Sequence, residues 1–372
     1  MVNKERLINR FIEYVKIDSE SYSEKDFADR LFSDLESLGF EVSYDNAGEV
    51  IGSNCKGNII GRLKGTVDGE TILFSGHMDT VTPGIGIKPL INEEMIYTDG
   101  TTILGGDDKA GIAGIIEAIM MLKENNIDYP TVEVAFTICE EVGLLGSKNL
   151  DYSKIESKKG FILDSSGEIG IVAIKGPAQD NLKVKIFGKP AHAGVAPETG
   201  ISAIEIAARA IANMKLLRID ENTTANIGTI SGGKVTNIVC PEVFIEAEAR
   251  STVEESLDMQ TKHMVETFEK VASDMNGRVE IKVTRSYGAF SVNKDEEIIS
   301  HLDKACKNAN LELKLVSSGG GSDTNIFNGK GIKSVNLSSG ERKPHTLEEH
   351  IYIKDLLNIA LIVKEVIEVA KK

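Results

Sequence analysis

The chain has 372 residues, 41% hydrophobic and 27% charged, with a formal net charge of −15. That length allows two or three domains and a core that needs no disulfide staple. The acidic balance argues against nucleic acid, which requires clustered Lys and Arg, and against an anionic membrane surface; its plain reading is solubility. The opening Met-Val-Asn-Lys-Glu-Arg runs into an amphipathic pattern without a signal-peptide core. No apolar run reaches the ~18 residues that a membrane span requires. Cys55, Cys139, Cys240 and Cys306 are widely spaced with no CxxC, so neither disulfides nor cysteine-type zinc sites are expected. Together these features predict a cytoplasmic protein.

In chain order, Leu7, Ile8, Phe11, Ile12 and Val15 repeat at helical spacing, as do Phe27, Leu31 and Leu35. Residues 70–76 (ETILFSG) predict a short buried strand. A helix with an apolar stripe follows Gly105-Gly106-Asp107-Asp108, and VEVAFTI (132–138) and GFILD (160–164) predict two more buried strands. Strands alternating with long helices argue for α/β units and a largely parallel sheet. The texture changes near Gly176. An alternating strand at 178–188, a helix at 200–216, the strands ANIGTIS and FIEAEARS, a helix at 254–274 and a strand at 278–284 follow in turn. That βαββαβ order is the ferredoxin-like split βαβ sandwich, read as a domain inserted into the first. After about residue 290 α/β character resumes, with a helix at 294–310, strands in LELKLVSS and IKSVNLS, and a broad apolar face on the last helix. The stretch SSGGGSD (317–323) predicts a tight turn beside a ligand.

Acids and histidines gather just after the apolar strands, where open α/β sheets place their ligand crevice. His77 and Asp79 share a face of an extended chain, and a ligating histidine needs its ring held in one orientation. Alone, such a histidine is more often structural. Asp107 and Asp108 open a helix, where aspartate is favoured as a cap and by the helix dipole. Two of them after two glycines and before Lys109 exceed what a cap needs, and a carboxylate can bridge two cations. Glu140 and Glu141 end an apolar strand, so they turn to solvent or meet a cation, one as ligand and the other as base. Asp164 ends another strand, and His345 lies near the C-terminus. His263, His301 and His350 have no such context and read as surface or helix residues. Two histidines and three carboxylates at five element ends, without thiolate, suit Zn, Mn or Co.

The segments SGHMDTV, GGDDKAG, CEEVGLLGSK and GKPAHAGVAPETGISAI occur in the order and spacing of a known family. Over essentially its whole length the chain resembles the M20 metallopeptidases, most closely their tripeptidase T-like branch. The resemblance implies a mixed, largely parallel α/β sheet flanked by helices, of zinc-exopeptidase type, with an inserted ferredoxin-like α+β lid. It divides the chain into a catalytic domain (1–175 and 290–372) and a lid and dimerisation domain (176–289). It implies two divalent metal ions, zinc first and Co or Mn next. One would be held by His77, Asp107 and Asp164 and the other by Asp107, Glu141 and His345, with Asp107 bridging. Glu140 would be the general base and Asp79 would orient His77. The Asp107–Asp108 peptide would be cis. His192 would assist the oxyanion, and Asn237 and Arg250 would hold substrate.

One position departs from the pattern. The family branch carries an arginine before its Gly-Gly pair, where this chain has Gly319, which puts strict tripeptide preference in doubt. The expected activity is aminopeptidase cleavage of short peptides, by a homodimer with no nucleic-acid or membrane partner. The rivals are an N-acyl amino acid deacylase or dipeptidase on the same scaffold, and a non-catalytic binding protein on a decayed scaffold, which loss of Glu140 or of a ligand would mark. Nucleotide binding at GGDDKAG fails, because the stretch matches neither phosphate-binding fingerprint.

Overall fold

Asn3 opens the first helix by accepting a hydrogen bond from the Arg6 backbone N–H at 3.1 Å. Helix α1 (Lys4–Lys16) then buries Leu7, Phe11, Tyr14 and Val15 on one face, and α2 (Lys25–Ser37) does the same with Phe27, Leu31 and Leu35. The computed structural model describes residues 2–372. They form two units: one takes the chain up to Ile174 with Ser291–Ser318 and Ser322–Lys372, the other Lys175–Phe290 with Gly319–Gly321.

The first unit continues through β1 (Glu41–Tyr44), α3 (Ala47–Ile51), β2 (Ile59–Leu63), β3 (Ile72–His77), β4 (Pro89–Ile91) and β5 (Met95–Thr98). Helix α4 (Gly106–Glu124), β6 (Val132–Thr137), α5 (Leu145–Lys148), β7 (Lys159–Ser165) and β8 (Ile171–Gly176) follow. The second unit is β9 (Ala178–Phe187), α6 (Ala203–Asn213), β10 (Leu217–Arg218), β11 (Thr223–Gly232), β12 (Glu242–Ser251), α7 (Glu254–Asp274) and β13 (Arg278–Tyr287). After β14 (Phe290–Ser291) the first unit resumes with α8 (Glu297–Asn308), β15 (Lys314–Ser317), α9 (Asp323–Gly329) and β16 (Lys333–Ser338). It ends with β17 (Glu341–Arg342), β18 (His350–Tyr352) and α10 (Ile353–Val369).

The central sheet of the first unit runs β1-β2-β6-β3-β7-β16-β8. Its middle, β6-β3-β7-β16, is parallel, and β1, β2 and β8 join antiparallel at the flanks. This is the mixed, largely parallel sheet that the sequence predicts. The parallel strands are buried on both faces, hence the apolar run ILF in β3 and the largely apolar VEVAF in β6, whose one acid, Glu133, is paired with Arg62. Helix α4 is apolar almost all round because it is enclosed, with β3 and β7 on one side and α1 and α10 on the other. Gly114 permits the approach of α10, since a Cβ there would lie 2.2 Å from Ile359 Cγ2.

Elements without strong periodicity escape the sequence: β1 and β2 at 41–63, and the small antiparallel sheet β17-β18-β5-β4. The helix expected at 200–216 stops at Asn213, and the strand expected over LELKLVSS shortens to Lys314–Ser317. His301 lies on α8 but is buried, its Nε2 2.7 Å from the Val366 carbonyl and its ring tilted against Phe161.

The second unit is one antiparallel sheet of order β10-β11-β12-β9-β13. Its four long strands have the ferredoxin-like order, and α6 and α7 cover one face. Leu182, Val184 and Ile186 of β9 and Val243, Ile245 and Ala247 of β12 point into that core against Ile206, Met264 and Phe268.

Candidate active site and metal centre

The C-terminal ends of the parallel strands lie side by side, so β3 delivers His77, β6 delivers Glu140 and Glu141 just beyond its end, and β7 delivers Asp164. Asp107 comes from the start of α4, and His345 from the loop between β17 and β18, in left-handed backbone conformation (φ 61). All five predicted ligand positions fall in the first unit.

Asp107 is at the centre. Its Oδ1 lies 2.9 Å from His77 Nε2, and its Oδ2 lies 3.2 Å from His345 Nε2. Asp164 Oδ1 stands 3.8 Å from His77 Nε2, and Glu141 Oε1 2.9 Å from His345 Nε2. Each oxygen of one carboxylate thus faces a different histidine, each with a further carboxylate behind it. The Asp107–Asp108 peptide is cis, as the resemblance expects.

His77 Nδ1 lies 2.9 Å from the Asp79 backbone carbonyl and 3.5 Å from its carboxylate. Donation from Nδ1 to that carbonyl leaves Nε2 as the coordinating nitrogen. The Asp79 carboxylate has other partners at hydrogen-bond distance. It accepts from Ser21 Oγ at 2.7 Å, from Glu140 N at 2.9 Å and from Glu141 N at 3.2 Å. The buried Asp79 therefore ties the Glu140–Glu141 backbone to the end of β3.

The electrostatics favour cations. Burial alone lowers the His77 pKa, yet its bonds to Asp107 and Asp79 outweigh burial and push it well up. Hydrogen bonds to Asp107 and then Glu141 push half-exposed His345 up to about 10. Asp107 goes the other way: burial raises it, but the bonds from His345 and His77 bring it below the usual range. Burial, followed by the charge of Asp164, pushes Glu140 well up, and burial pushes Asp164 and Glu141 up as well. The buried Glu141 Oε1 atom has the His345 ring, at 2.9 Å, as its neighbour. Ligand atoms of His77, Asp107 and Glu141 lie within 4.8 Å of one another. Nitrogen and oxygen donors at this spacing fit divalent metal.

Several residues around the site carry no motif. Asn336 on β16 brackets Asp164, accepting from its N–H at 3.0 Å and donating to its carbonyl at 2.7 Å. Asp323, at the end of the glycine-rich SSGGGSD stretch, is buried and accepts from Thr137 Oγ1 at 2.6 Å and from Ser147 Oγ. Glu349 stands four residues after His345 and accepts from the backbone N–H groups of residues 104–107. Acidity near a predicted ligand is the one signal that marks it in sequence.

The predicted substrate residues lie in the second unit. His192 is exposed, and the Asn237 carbonyl accepts from Ala193 N at 2.9 Å, which brings the two loops together. Arg250 on β12 is instead paired with Glu248, Nε to Oε1 and Nη2 to Oε2 at 3.0 Å each.

A carboxylate- and histidine-lined crevice at the ends of parallel strands defines a metallohydrolase of the α/β exopeptidase class. Residues 58–165 match the model for peptidase family M28, and residues 174–276 match that for the M20 peptidase dimerisation domain. The chain is 45% identical to an aminopeptidase PepT from Bacillus cereus, with both chains fully covered and a TM-score of 0.93. It is 40% identical to a tripeptidase from Staphylococcus aureus, again over all of both chains, with a TM-score of 0.96. A dinuclear metal-binding peptidase of the M20 family from Bacillus subtilis shares the fold, at 18% identity, 99% and 98% coverage and a TM-score of 0.75. The M28 match stops at residue 165, whereas the tripeptidase likeness spans the whole chain. The chain belongs to the M20 metallopeptidases, in their tripeptidase-like branch. Among the described residues no helix is long and apolar enough to cross a membrane.

Proposed function

We propose that this enzyme removes N-terminal residues from tripeptides and similar short peptides with the help of two divalent cations, zinc by preference. His77, Asp107 and Asp164 are assigned to one cation, and Asp107, Glu141 and His345 to the other. The observation that carries this reading is Asp107, whose two oxygens face His77 and His345 separately at 2.9 and 3.2 Å. Zinc is preferred over Co or Mn because the donor set is nitrogen and oxygen and the reaction is hydrolysis.

Bound there, the cations would acidify a water to a pKa near ~7 and polarise the scissile carbonyl. Glu140 takes a proton from the attacking water. The water oxygen bonds to the carbonyl carbon, the C–N bond breaks, and Glu140 returns the proton to the leaving amine. Asp79 holds the Glu140 backbone, and through its carbonyl the His77 ring. His192, Asn237 and Arg250 are assigned to substrate on the family resemblance, His192 as an exposed imidazole for the oxyanion. The dimerisation-domain match supports a homodimer through the second unit. A cytoplasmic location rests on four cysteines that are all free and buried.

The test is hydrolysis of a tripeptide panel by wild type and Glu140→Ala, with metal content measured on both. Wild type is expected to cleave, and the variant to keep its metal and lose about 10²- to 10⁴-fold in kcat. Metal-loaded wild type that cleaves no tripeptide overturns the tripeptidase reading and directs the assay to dipeptides and acyl amino acids.

A further inference from the structure

Four successive backbone N–H groups at the start of α4 converge on one buried carboxylate. Glu349 Oε2 accepts from Leu104 N at 2.7 Å and from Gly105 N at 2.9 Å. Its Oε1 accepts from Gly106 N at 2.7 Å and from Asp107 N at 3.2 Å. The partners are 242 to 245 residues apart in sequence. Hydrogen bonds to a carboxylate are about twice as strong as neutral ones.

A helix start leaves its first N–H groups without intrahelical partners, so a cap of some kind is required here. The local candidates do not supply it. Gly105, in left-handed conformation (φ 71), occupies the N-cap position and has no side chain. Asp107 turns its oxygens to His77 and His345, and neither oxygen of buried Asp108 has a hydrogen-bond partner. A Ser or Asn would cap a helix without burying a charge. Here an ionisable acid is buried beside the acids of the site, with Glu341 and Asp107 close by.

The geometry of Asp107 gives that arrangement a purpose. Its backbone (φ −79, ψ 104) is not helical, so the helix does not fix its direction. Its N–H is held by Glu349, as are the three before it. Gly106 keeps the gap narrow, since a Cβ there would lie 3.1 Å from Glu349 Oε1. We propose that Glu349 is the positioning residue that aims the Asp107 carboxylate between its two cations, by fixing the backbone of residues 104–107. This inference rests on the two-cation reading above. Glu349 acts through Asp107, since both of its oxygens are engaged by backbone N–H groups.

The test uses full-length protein stripped of metal by chelation and titrated with Co²⁺, read by visible absorption and by bound metal per chain. Thermal unfolding of the stripped protein is measured in parallel. In Glu349→Gln an amide nitrogen replaces one oxygen, so two of the four N–H groups lose their acceptor. The expected result is Co²⁺ affinity lower by about 10- to 100-fold with an altered absorption band. A variant that binds Co²⁺ with wild-type affinity and spectrum, whatever its unfolding temperature, reduces Glu349 to a helix cap and overturns the inference. If Glu349→Gln does not fold, Glu349→Asp decides. Its arm is shorter by one C–C bond, about 1.5 Å, and equal Co²⁺ affinity overturns the inference in the same way. Wild type that takes up fewer than two Co²⁺ overturns the two-cation reading and this inference with it. Wild type that takes up two while the variant matches it overturns the inference alone.

Discussion

Replacing Asp79 with Ala removes an acceptor that no neighbour substitutes. The carboxylate takes hydrogen bonds from Ser21 Oγ and from the N–H groups of Glu140 and Glu141, at 2.7, 2.9 and 3.2 Å. Asp79 is fully buried, so water cannot take over those donors without rearrangement. Each stranded N–H costs about 1–3 kcal/mol, which for the pair gives about 2–6 kcal/mol of stability. The kinetic effect is separate. The freed backbone carries the proposed base and a proposed ligand, so kcat is expected to fall a further 10- to 100-fold in the protein that remains folded. Asp79→Asn keeps one oxygen and should lie between wild type and Ala on both scales. Urea unfolding gives the first quantity, and tripeptide turnover per folded, metal-loaded molecule gives the second. An Ala variant that unfolds at the wild-type urea concentration with unchanged kcat would refute the assignment of Asp79 as the tie between β3 and the Glu140–Glu141 segment.

Chelation of the metal should lower the unfolding temperature, since a ligand present at 1,000 times its Kd stabilises by about 4 kcal/mol; an unchanged melting curve in EDTA argues against cations at this site. Gly114→Ala gains about 1 kcal/mol of helix propensity but sets a Cβ 2.2 Å from Ile359 Cγ2, so a net loss of about 1–3 kcal/mol in urea is expected, and a stabilised variant would contradict the close packing of α4 on α10. Burial lowers the His301 pKa below 6.5. The unfolded chain therefore binds more protons near that pH, and the contribution of neutral His301 is complete above pH ~6.5 and lost as pH falls toward its folded value. Wild type should lose stability over that window more steeply than His301→Gln, and parallel pH profiles would exclude the histidine as the cause. Asn336→Ala removes both partners of the Asp164 backbone and should weaken metal binding by about tenfold, read by metal titration of the stripped protein.

Much of the architecture is local in origin. The apolar runs that end at His77, Glu140 and Asp164 are buried parallel strands, and side chains at their ends reach one crevice because parallel strands finish on the same edge. The alternation of Leu182, Val184 and Ile186 marks a strand with one buried face. By contrast β1, β2 and the small four-stranded sheet have weak patterns, and neighbouring strands define them more than their own residues do. His301 has no distinguishing neighbours in sequence, and only the packing of α8 against α10 makes it a core residue.

Sequence alone specifies which residue types gather at strand ends, the periodicity that builds each element, and the family to which the chain belongs. Those properties are carried by neighbours along the chain, within the few residues over which side-chain periodicity acts. Tertiary structure alone decides which oxygen of Asp107 meets which histidine, that the Asp79 carboxylate holds Glu140 and Glu141, and that Glu349 caps α4 in place of the nearby aspartates. Each of these pairings depends on bringing distant segments within 3.2 Å of each other, which no local pattern encodes and which folding into a packed sheet accomplishes.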